Sequence, residues 1–388
     1  MWNWNQKNWP NFEFSPSNFA TLEQQFLIEA AKLIGASSVT TEDEQRRFTI
    51  DLMSEEALKS SRIEGEVLNR DSVSSSLLRQ LGLAPRFSDH GASDKEQGIA
   101  ALMVDNYNTY NQPLTHETLF KWHSCAMSGS HHIKDIGKYR TSKEPMQVVS
   151  GYEGRYKVHF EAPPANMLQD EMNTFIHWYN DTSPHGSKPL PSLTRAGLAH
   201  IYFVSIHPFE DGNGRISRAL SEKALAQTLE RPALFALSYN IESTKKEYYS
   251  ELEKNQKSLK VDSWLSYFFI TGINAAKRSQ DIVKFIVEKT RLYERIKGRT
   301  NKRQEKVLDW MFAAGLEGFR GGMSASKYMA TTGTYRQQAT RDLQGLVDIG
   351  ALTKTGTQKS TRYWLNISED LNLEKVKVLN EQSKKPQK

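Results

Sequence analysis

Cysteine is nearly missing from this sequence. Cys125 stands alone among 388 residues, which excludes an intrachain disulfide and denies a thiolate pair to any metal site. It reads as a small core residue in a reducing compartment, the cytoplasm. Long apolar runs are missing as well. No stretch approaches the roughly 18 residues of a membrane helix, and Met1-Trp2-Asn3-Trp4-Asn5 lacks the basic-then-apolar order of a signal peptide. A membrane is therefore not among the expected partners. Carboxylates at suitable offsets are missing around His123, His131 and His132, so these read as ordinary helix and loop histidines.

Hydrophobic residues make up 38% of the chain, enough for a buried core, and the length suggests two or three domains. The net charge of +6 is uneven. Thr271 to Lys388 holds 23 Lys+Arg against 12 Asp+Glu, or +11, which leaves 28 against 33, or −5, for Met1 to Ile270. A basic C-terminal module fits nucleic acid, and equally a solvated helical surface.

The most informative stretch is His207-Pro208-Phe209-Glu210-Asp211-Gly212-Asn213-Gly214-Arg215-Ile216-Ser217-Arg218. Apolar patterns on both sides predict helices over 192–206 and 216–229. Gly-Asn-Gly allows φ > 0 and close approach of backbone N–H groups to an anion. The following helix start adds free N–H groups and partial positive charge, and Arg215 and Arg218 add fork-shaped phosphate donors. With His207 as a titratable base and Asp211 as a Mg²⁺-seeking carboxylate, these are the ingredients of a phosphate cradle.

This stretch resembles the Fic family signature, His-x-Phe-x-(Asp/Glu)-Gly-Asn-Gly-Arg-x-x-Arg, at all of its specified positions. The resemblance implies transfer of AMP from ATP to a Ser, Thr or Tyr hydroxyl of a protein, the chain itself included. It implies His207 as general base and Asp211 as ligand of the Mg²⁺ that bridges the α- and β-phosphates. Gly212, Asn213 and Gly214 become the anion hole, Arg215 and Arg218 the holders of the β- and γ-phosphates, and Phe209 a buried anchor. Such transfer depends on positioning and charge stabilisation more than on covalent help.

Upstream, Ser60-Ser61-Arg62-Ile63-Glu64-Gly65 lies in a helical pattern over 41–68, with Ser60 and Glu64 on one face. It is similar to the Fic inhibitory motif, (Ser/Thr)-x-x-x-Glu-(Gly/Asn). That similarity implies that Glu64 pairs with Arg218 and keeps it from the γ-phosphate. Gly65 reads as a mid-helix glycine that lets another backbone approach. Trp2, Trp4, Trp9, Phe12, Phe14 and Phe19 crowd the first twenty positions and read as a structural cap. A helix follows from Ser17 to Gly35. Asn69 to Ser93 reads as a loop with one short helix at 74–81.

Downstream, Pro145 to Phe160 reads as a hairpin with Ser-Gly-Tyr-Glu-Gly at its centre. It resembles the Fic flap, whose exposed backbone takes an extended piece of the protein target as an added strand. Val148, Val149, Ser150 and Gly151 are the candidates for nucleotide and target contact. A helix at 239–257 carries Tyr248-Tyr249, which resembles the family's adenine-lining pair. Gln256 stands where the family often has Asn, with Asn255 beside it.

After a helical run from 264 to 290 and a charged helix at 291–306, residues 301–365 resemble a winged helix-turn-helix, with exposed Arg336, Gln337 and Arg341 suited to DNA, or with protein contacts as its use. The expected organisation is mainly α: an N-terminal helical module with the inhibitory helix (1–90), a Fic core with its β-hairpin flap (91–275), a helical connector (276–300), a winged helix (301–370) and a disordered tail (371–388). A homodimer is a further expectation. The rivals are a DNA-binding regulator with a nucleotide-sensing core, removal of AMP from a modified target, and transfer of another nucleotide.

Overall fold

A computed structural model describes residues 1–38, 40–83, 91–152, 155–232 and 234–371. Glu153 and Gly154 of the expected hairpin centre, residues 84–90 of the expected loop and residues 372–388 of the expected tail lie outside the described residues. The chain is mainly α-helical and divides into two compact units, Met1–Ile34 with Thr49–Ser279, and Gly35–Phe48 with Gln280–Lys388.

In chain order the helices of the N-terminal part are α1 (Ala20–Ser38), α2 (Glu42–Ile63), α3 (Arg70–Gln80), α4 (Asp94–Thr109) and α5 (His116–Ala126). Strands β1 (Gln147–Tyr152) and β2 (Arg155–Glu161) follow, then α6 (Leu168–Asp181), α7 (Ser192–Ile206), α8 (Asn213–Leu229), α9 (Leu237–Ser243), α10 (Lys245–Asn255) and α11 (Asp262–Ile296).

The centre of the first unit is α7. Every residue from Ser192 to Ile206 is buried, as a helix apolar on nearly all sides must be. Its polar members are paired inside. Arg195 donates to the Tyr179 carbonyl at 2.9 Å and to Gln227 Oε1 at 2.8 Å. His200 bonds the Tyr248 hydroxyl at 2.8 Å, in keeping with a core histidine.

Several boundaries differ from expectation for local reasons. The second helix stops at Ile63, because Gly65 sits at φ +87° just beyond it. Left-handed glycine is a common helix stop. A Cβ on Gly65 would meet nothing within 4 Å, so this glycine serves the turn and not a close approach. Helix α1 starts at Ala20 after a 3₁₀ turn at Pro16–Asn18 and runs through Gly35. Helix α3 is longer than expected because Asn69 caps it by accepting the Ser72 N–H. The helix expected over 239–257 is broken at Thr244, whose hydroxyl donates to the Asn240 carbonyl.

The N-terminal aromatic segment straps the bottom of the same unit. Asn3 N–H donates to the Gln256 carbonyl at 2.8 Å and Asn3 Nδ2 to Ser205 Oγ at 2.9 Å. Trp4 Nε1 donates to the Glu161 carbonyl at 2.6 Å. Trp9 and Phe12 pack edge-on against Tyr202 of α7.

In the second unit, α12 (Lys302–Ala313), α13 (Ala325–Thr332) and α14 (Arg336–Asp348) are followed by the antiparallel strands β3 (Leu352–Thr355) and β4 (Arg362–Leu365). The charged helix expected over 291–306 is interrupted by Gly298 at φ +73° and a new cap at Asn301. Buried Asp342 of α14 ties the helices together, accepting from Arg303 Nε at 2.9 Å, Tyr328 Oη at 2.9 Å and Gln338 Nε2 at 2.8 Å. Arg336, Gln337 and Arg341 are exposed on α14.

Candidate active site

The turn between α7 and α8 is held from several sides. His207 ends α7 in the left-handed region, φ 51° and ψ 56°, a conformation that costs a non-glycine residue about 1–3 kcal/mol. The surroundings hold it there. Arg140 Nε donates to the His207 carbonyl at 2.9 Å, and Arg140 N–H to the Pro208 carbonyl at 3.0 Å. Asn213 closes the loop on itself: its Oδ1 accepts the Phe209 N–H at 3.0 Å and its Nδ2 donates to the Phe209 carbonyl at 2.9 Å. Phe209 is fully buried and stacks on His123 with 4.0 Å between ring centres.

His123 is the residue that sequence reasoning passed over. Its Nδ1 accepts the Gly137 N–H at 3.0 Å, so Nε2 carries the proton and donates to the Asp211 carbonyl at 3.1 Å. Burial pushes its pKa down to about 4, and the ring stays neutral. It therefore fixes both the anchor Phe209 and the backbone of Asp211. Its position on α5, 84 residues before the signature, left no periodic signal to find.

Gly212 takes φ +79°, and a Cβ there would lie 2.8 Å from Met127 Cε. Helix α8 then starts at Asn213, three residues earlier than expected, because Asn213 bonds back to Phe209 and the chain turns at once. The first rung of the helix joins Ile216 N–H to the Gly212 carbonyl. The N–H groups of Asn213, Gly214 and Arg215 thus precede the ladder, as at any helix start.

The His207 ring lies at the edge of this turn. Nδ1 faces the Val204 carbonyl at 3.3 Å. A carbonyl only accepts, so Nδ1 carries the proton and Nε2 keeps its lone pair. Burial, with the Arg140 charge adding to it, pushes the His207 pKa down to about 4. The imidazole is neutral throughout the neutral pH range, with Nε2 free of a proton.

A cavity of about 660 Å³ opens in front of His207. Of the residues expected from the sequence, Glu64, Val148, Val149, Ser150, His207, Asp211, Asn213, Gly214, Tyr248, Tyr249 and Gln256 line it. Gly151, Gly212, Arg215 and Arg218 do not; the last two are buried. Tyr248 is buried through its bond to His200, while Tyr249 is 41% exposed with its ring 5.1 Å from that of Tyr248. Gln256 faces the cavity with its Nε2 on the Val204 carbonyl, and Asn255 points away toward Ser263.

Both arginines are held by acids from the turn after α2. Arg218 is 1% exposed. It donates from Nη2 to Glu64 Oε1 at 2.7 Å and from Nε to Ser60 Oγ at 2.9 Å. Arg215 pairs with Glu66 Oε2 at 3.1 Å and donates to the Ala126 carbonyl at 2.6 Å. Glu66, held in turn by Lys95 at 2.7 Å, had no expected role. Among the described residues, Nη1 of Arg218 and Nε of Arg215 are buried without a hydrogen-bond partner. A Cβ on Gly214 would lie 2.3 Å from Glu64 Oε1 and 3.1 Å from Arg218 Nη1. A side chain there would displace the acid, because Glu64 and Arg218 both crowd the helix start.

Behind Arg218, Glu56 of α2 accepts the Ser238 N–H at 2.8 Å. Burial pushes its pKa up to about 7. The folded state therefore holds a proton that the unfolded chain loses near pH 4.5, and this contribution to stability declines as pH rises from about 4.5 through about 7. Burial and the nearby Glu56 charge raise Glu222 of α8 as well, so Glu56→Gln is expected to reduce that slope. Melting temperatures of the two proteins between pH 5 and about 8 check it; parallel curves contradict it.

Asp211 is more than half exposed, with Oδ1 on the Gly212 N–H at 2.6 Å and Oδ2 4.0 Å from His132 Nε2. Among the described residues no group of three or more His, Cys, Asp or Glu forms a metal cluster. A lone exposed carboxylate beside a helix start suits Mg²⁺, which keeps several waters and takes one or two carboxylates plus substrate phosphates.

Comparison with known proteins adds the context. Residues 113–225 match the family model "Fic/DOC family", and residues 2–83 match "Domain of unknown function (DUF4172)". Over 118 residues the chain is 31% identical to "Protein adenylyltransferase fic-1" of Caenorhabditis briggsae, covering 30% of this chain and 20% of that protein. Over 142 residues it is 37% identical to "Uridine 5'-monophosphate transferase" of Xanthomonas campestris pv. campestris, covering 35% of this chain and 25% of that protein. The chain thus spans about a fifth to a quarter of the length of these curated relatives. A crystal structure of a Fic family protein from Desulfovibrio desulfuricans shares its fold, with a TM-score of 0.51 at 18% identity over 92% of this chain and 98% of that one.

Proposed function

We propose, from the premise that residues 113–225 are a Fic/DOC domain, that this chain transfers AMP from ATP to a hydroxyl of a protein and holds that activity low by itself. The observation that carries the reading is a neutral His207, Nε2 unprotonated, on the wall of a cavity that Asn213 and Gly214 of the first turn of α8 also line. A base must be within reach and deprotonated at working pH, and a helix start is a ready anion site.

In this reading Nε2 of His207 takes the proton of the acceptor hydroxyl as its oxygen bonds to the α-phosphorus. The N–H groups of Asn213, Gly214 and Arg215 stabilise the phosphate oxygens. The rings of Tyr248 and Tyr249 offer an apolar face to the purine. Asp211 would hold Mg²⁺, which when bound neutralises phosphate charge. The exposed edge of β1, with Val148 and Val149, receives the target chain as an added strand. Glu64 withholds Arg218 from the terminal phosphates, and Glu66 does the same to Arg215, so both arginines of the signature are engaged at rest. One relative is a uridine 5'-monophosphate transferase, so a uracil nucleotide is the second candidate donor.

Incubation with Mg²⁺ and ATP labelled at the α-phosphate, with cold UTP as competitor, tests the reading. Label on protein, lost to excess unlabelled ATP but not to UTP, is expected; label displaced by UTP assigns the other nucleotide. Tight sequence-specific DNA binding without any labelling supports the regulator instead. The rate is expected to stay flat from pH 8 to about 5 and to fall only toward pH 4, because burial holds the His207 pKa down to about 4. A midpoint near the ordinary histidine value of 6.5 contradicts the assigned base.

A further inference from the structure

The flap contains an irregularity that the nucleotide site does not require. Val148 pairs with Phe160 and Val149 with Val158, so His159 is an extra residue on β2 without a partner on β1. Bulges of this kind re-aim side chains and are common beside active sites. Here the bulge turns the His159 ring between two groups. Its Nε2 lies 2.6 Å from Ser150 Oγ, and its Nδ1 lies 2.6 Å from Glu253 Oε2 of α10.

The proton positions follow from the partners. Glu253 also accepts from Lys257 at 2.9 Å and Lys157 at 3.2 Å. Its carboxyl is held down to about 2, first by the hydrogen bond from His159 and then by that from Lys257. An ionised carboxylate only accepts, so Nδ1 carries a proton, and in the neutral ring Nε2 accepts from the Ser150 hydroxyl. A hydroxyl, an imidazole and a carboxylate in this order form the arrangement that activates a serine. Ser150 is exposed, and all three residues line the cavity of His207 and Asp211. Lys157 and Lys257 sit on Glu253 regardless of the imidazole, so the flap is tied to α10 without the relay.

We propose that Ser150 is itself an acceptor of the nucleotidyl group, a self-modification site on the flap, with His159 as its base and Glu253 orienting that base. This rests on the nucleotidyl transfer inferred above and adds a site and a base to it. Ser150 Oγ bonds to the α-phosphorus of the nucleoside triphosphate. The bond from that phosphorus to the oxygen bridging the β-phosphate breaks, and pyrophosphate leaves with the electron pair. The hydroxyl proton passes to His159 Nε2, and the imidazolium is stabilised by Glu253. A nucleotide on Ser150 then occupies the flap where a target chain would dock.

The test is peptide mass mapping of the full chain carrying Glu64→Gly after incubation with Mg²⁺ and ATP. An adduct of one nucleotidyl group on the Ser150 peptide is expected, and Ser150→Ala removes it from that peptide. His159→Gln retains a hydrogen-bonding side chain but no base. It is expected to lower the Ser150 adduct, relative to adducts elsewhere in the same digest, by about 10²-fold or more. Adducts elsewhere with none at Ser150 overturn the proposal and leave the transfer reading standing. An unmoved ratio in His159→Gln overturns the base. No adduct anywhere overturns both.

Discussion

Glycine in place of Glu64 is expected to raise nucleotidyl transfer by about 10- to 100-fold. The magnitude follows from a hydrogen bond to a charged partner, about 1.5–3 kcal/mol, divided by about 1.4 kcal/mol per decade. Arg218 is fixed at rest by Glu64 at 2.7 Å and by Ser60. Removing the acid leaves a buried guanidinium whose net attraction turns to phosphate. Two measurements separate this from a trivial gain. Transfer to an added protein acceptor rises, while the melting temperature without nucleotide falls, since an unpaired buried charge is costly. Saturating ATP then restores more stability to the variant than to the wild type, because a ligand that binds the native state stabilises it by mass action. Equal transfer rates in the two proteins would remove Glu64 as a latch. Glu66→Gln, which frees Arg215, is expected to add to the effect.

The second large effect is a loss. His207→Ala, introduced into the Glu64→Gly protein, is expected to lower transfer to an added acceptor by about 10²- to 10⁴-fold, the usual worth of a positioned base. The same substitution is expected to leave ATP protection against thermal unfolding in place. The N–H groups of α8 and the faces of Tyr248 and Tyr249 do not depend on the imidazole. A variant that loses the protection along with the rate points to collapse of the turn, since His207 also holds a strained backbone conformation. A variant that keeps the rate disqualifies His207 as the base.

The mainly helical fold and the central turn were legible in the sequence because their signals are local. Apolar periodicity placed α7 and the Gly-Asn-Gly run placed the turn, whereas Glu64, expected on one helix face with Ser60, lies in the turn just past the end of α2. What escaped depends on contacts across the fold. The early start of α8 is set by the side chain of Asn213 reaching back to Phe209. Gly65 looked like a defect within a helix and is instead its stop, a matter of φ that composition does not reveal. His123, Glu66 and Glu56 each sit in ordinary helical or turn surroundings. Their roles arise only when α5, the turn after α2 and α9 meet the signature loop, at separations of 88 residues for His123 with Asp211 and 182 for Glu56 with Ser238. The bulge at His159 belongs to the same class, since strand register is a property of the pair and not of either strand.

The stretch matched as Fic/DOC, 113–225, is packed against residues on both sides of it in the chain. Tyr202 in its middle helix is covered by Trp9 and Phe12, and the Gln256 carbonyl that borders the cavity is satisfied by Asn3. Excising that stretch for expression would uncover the aromatic flank of α7 and discard α2 and α10 together. The smallest fragment worth producing for biochemistry therefore retains the tryptophan-rich leader and extends into α11.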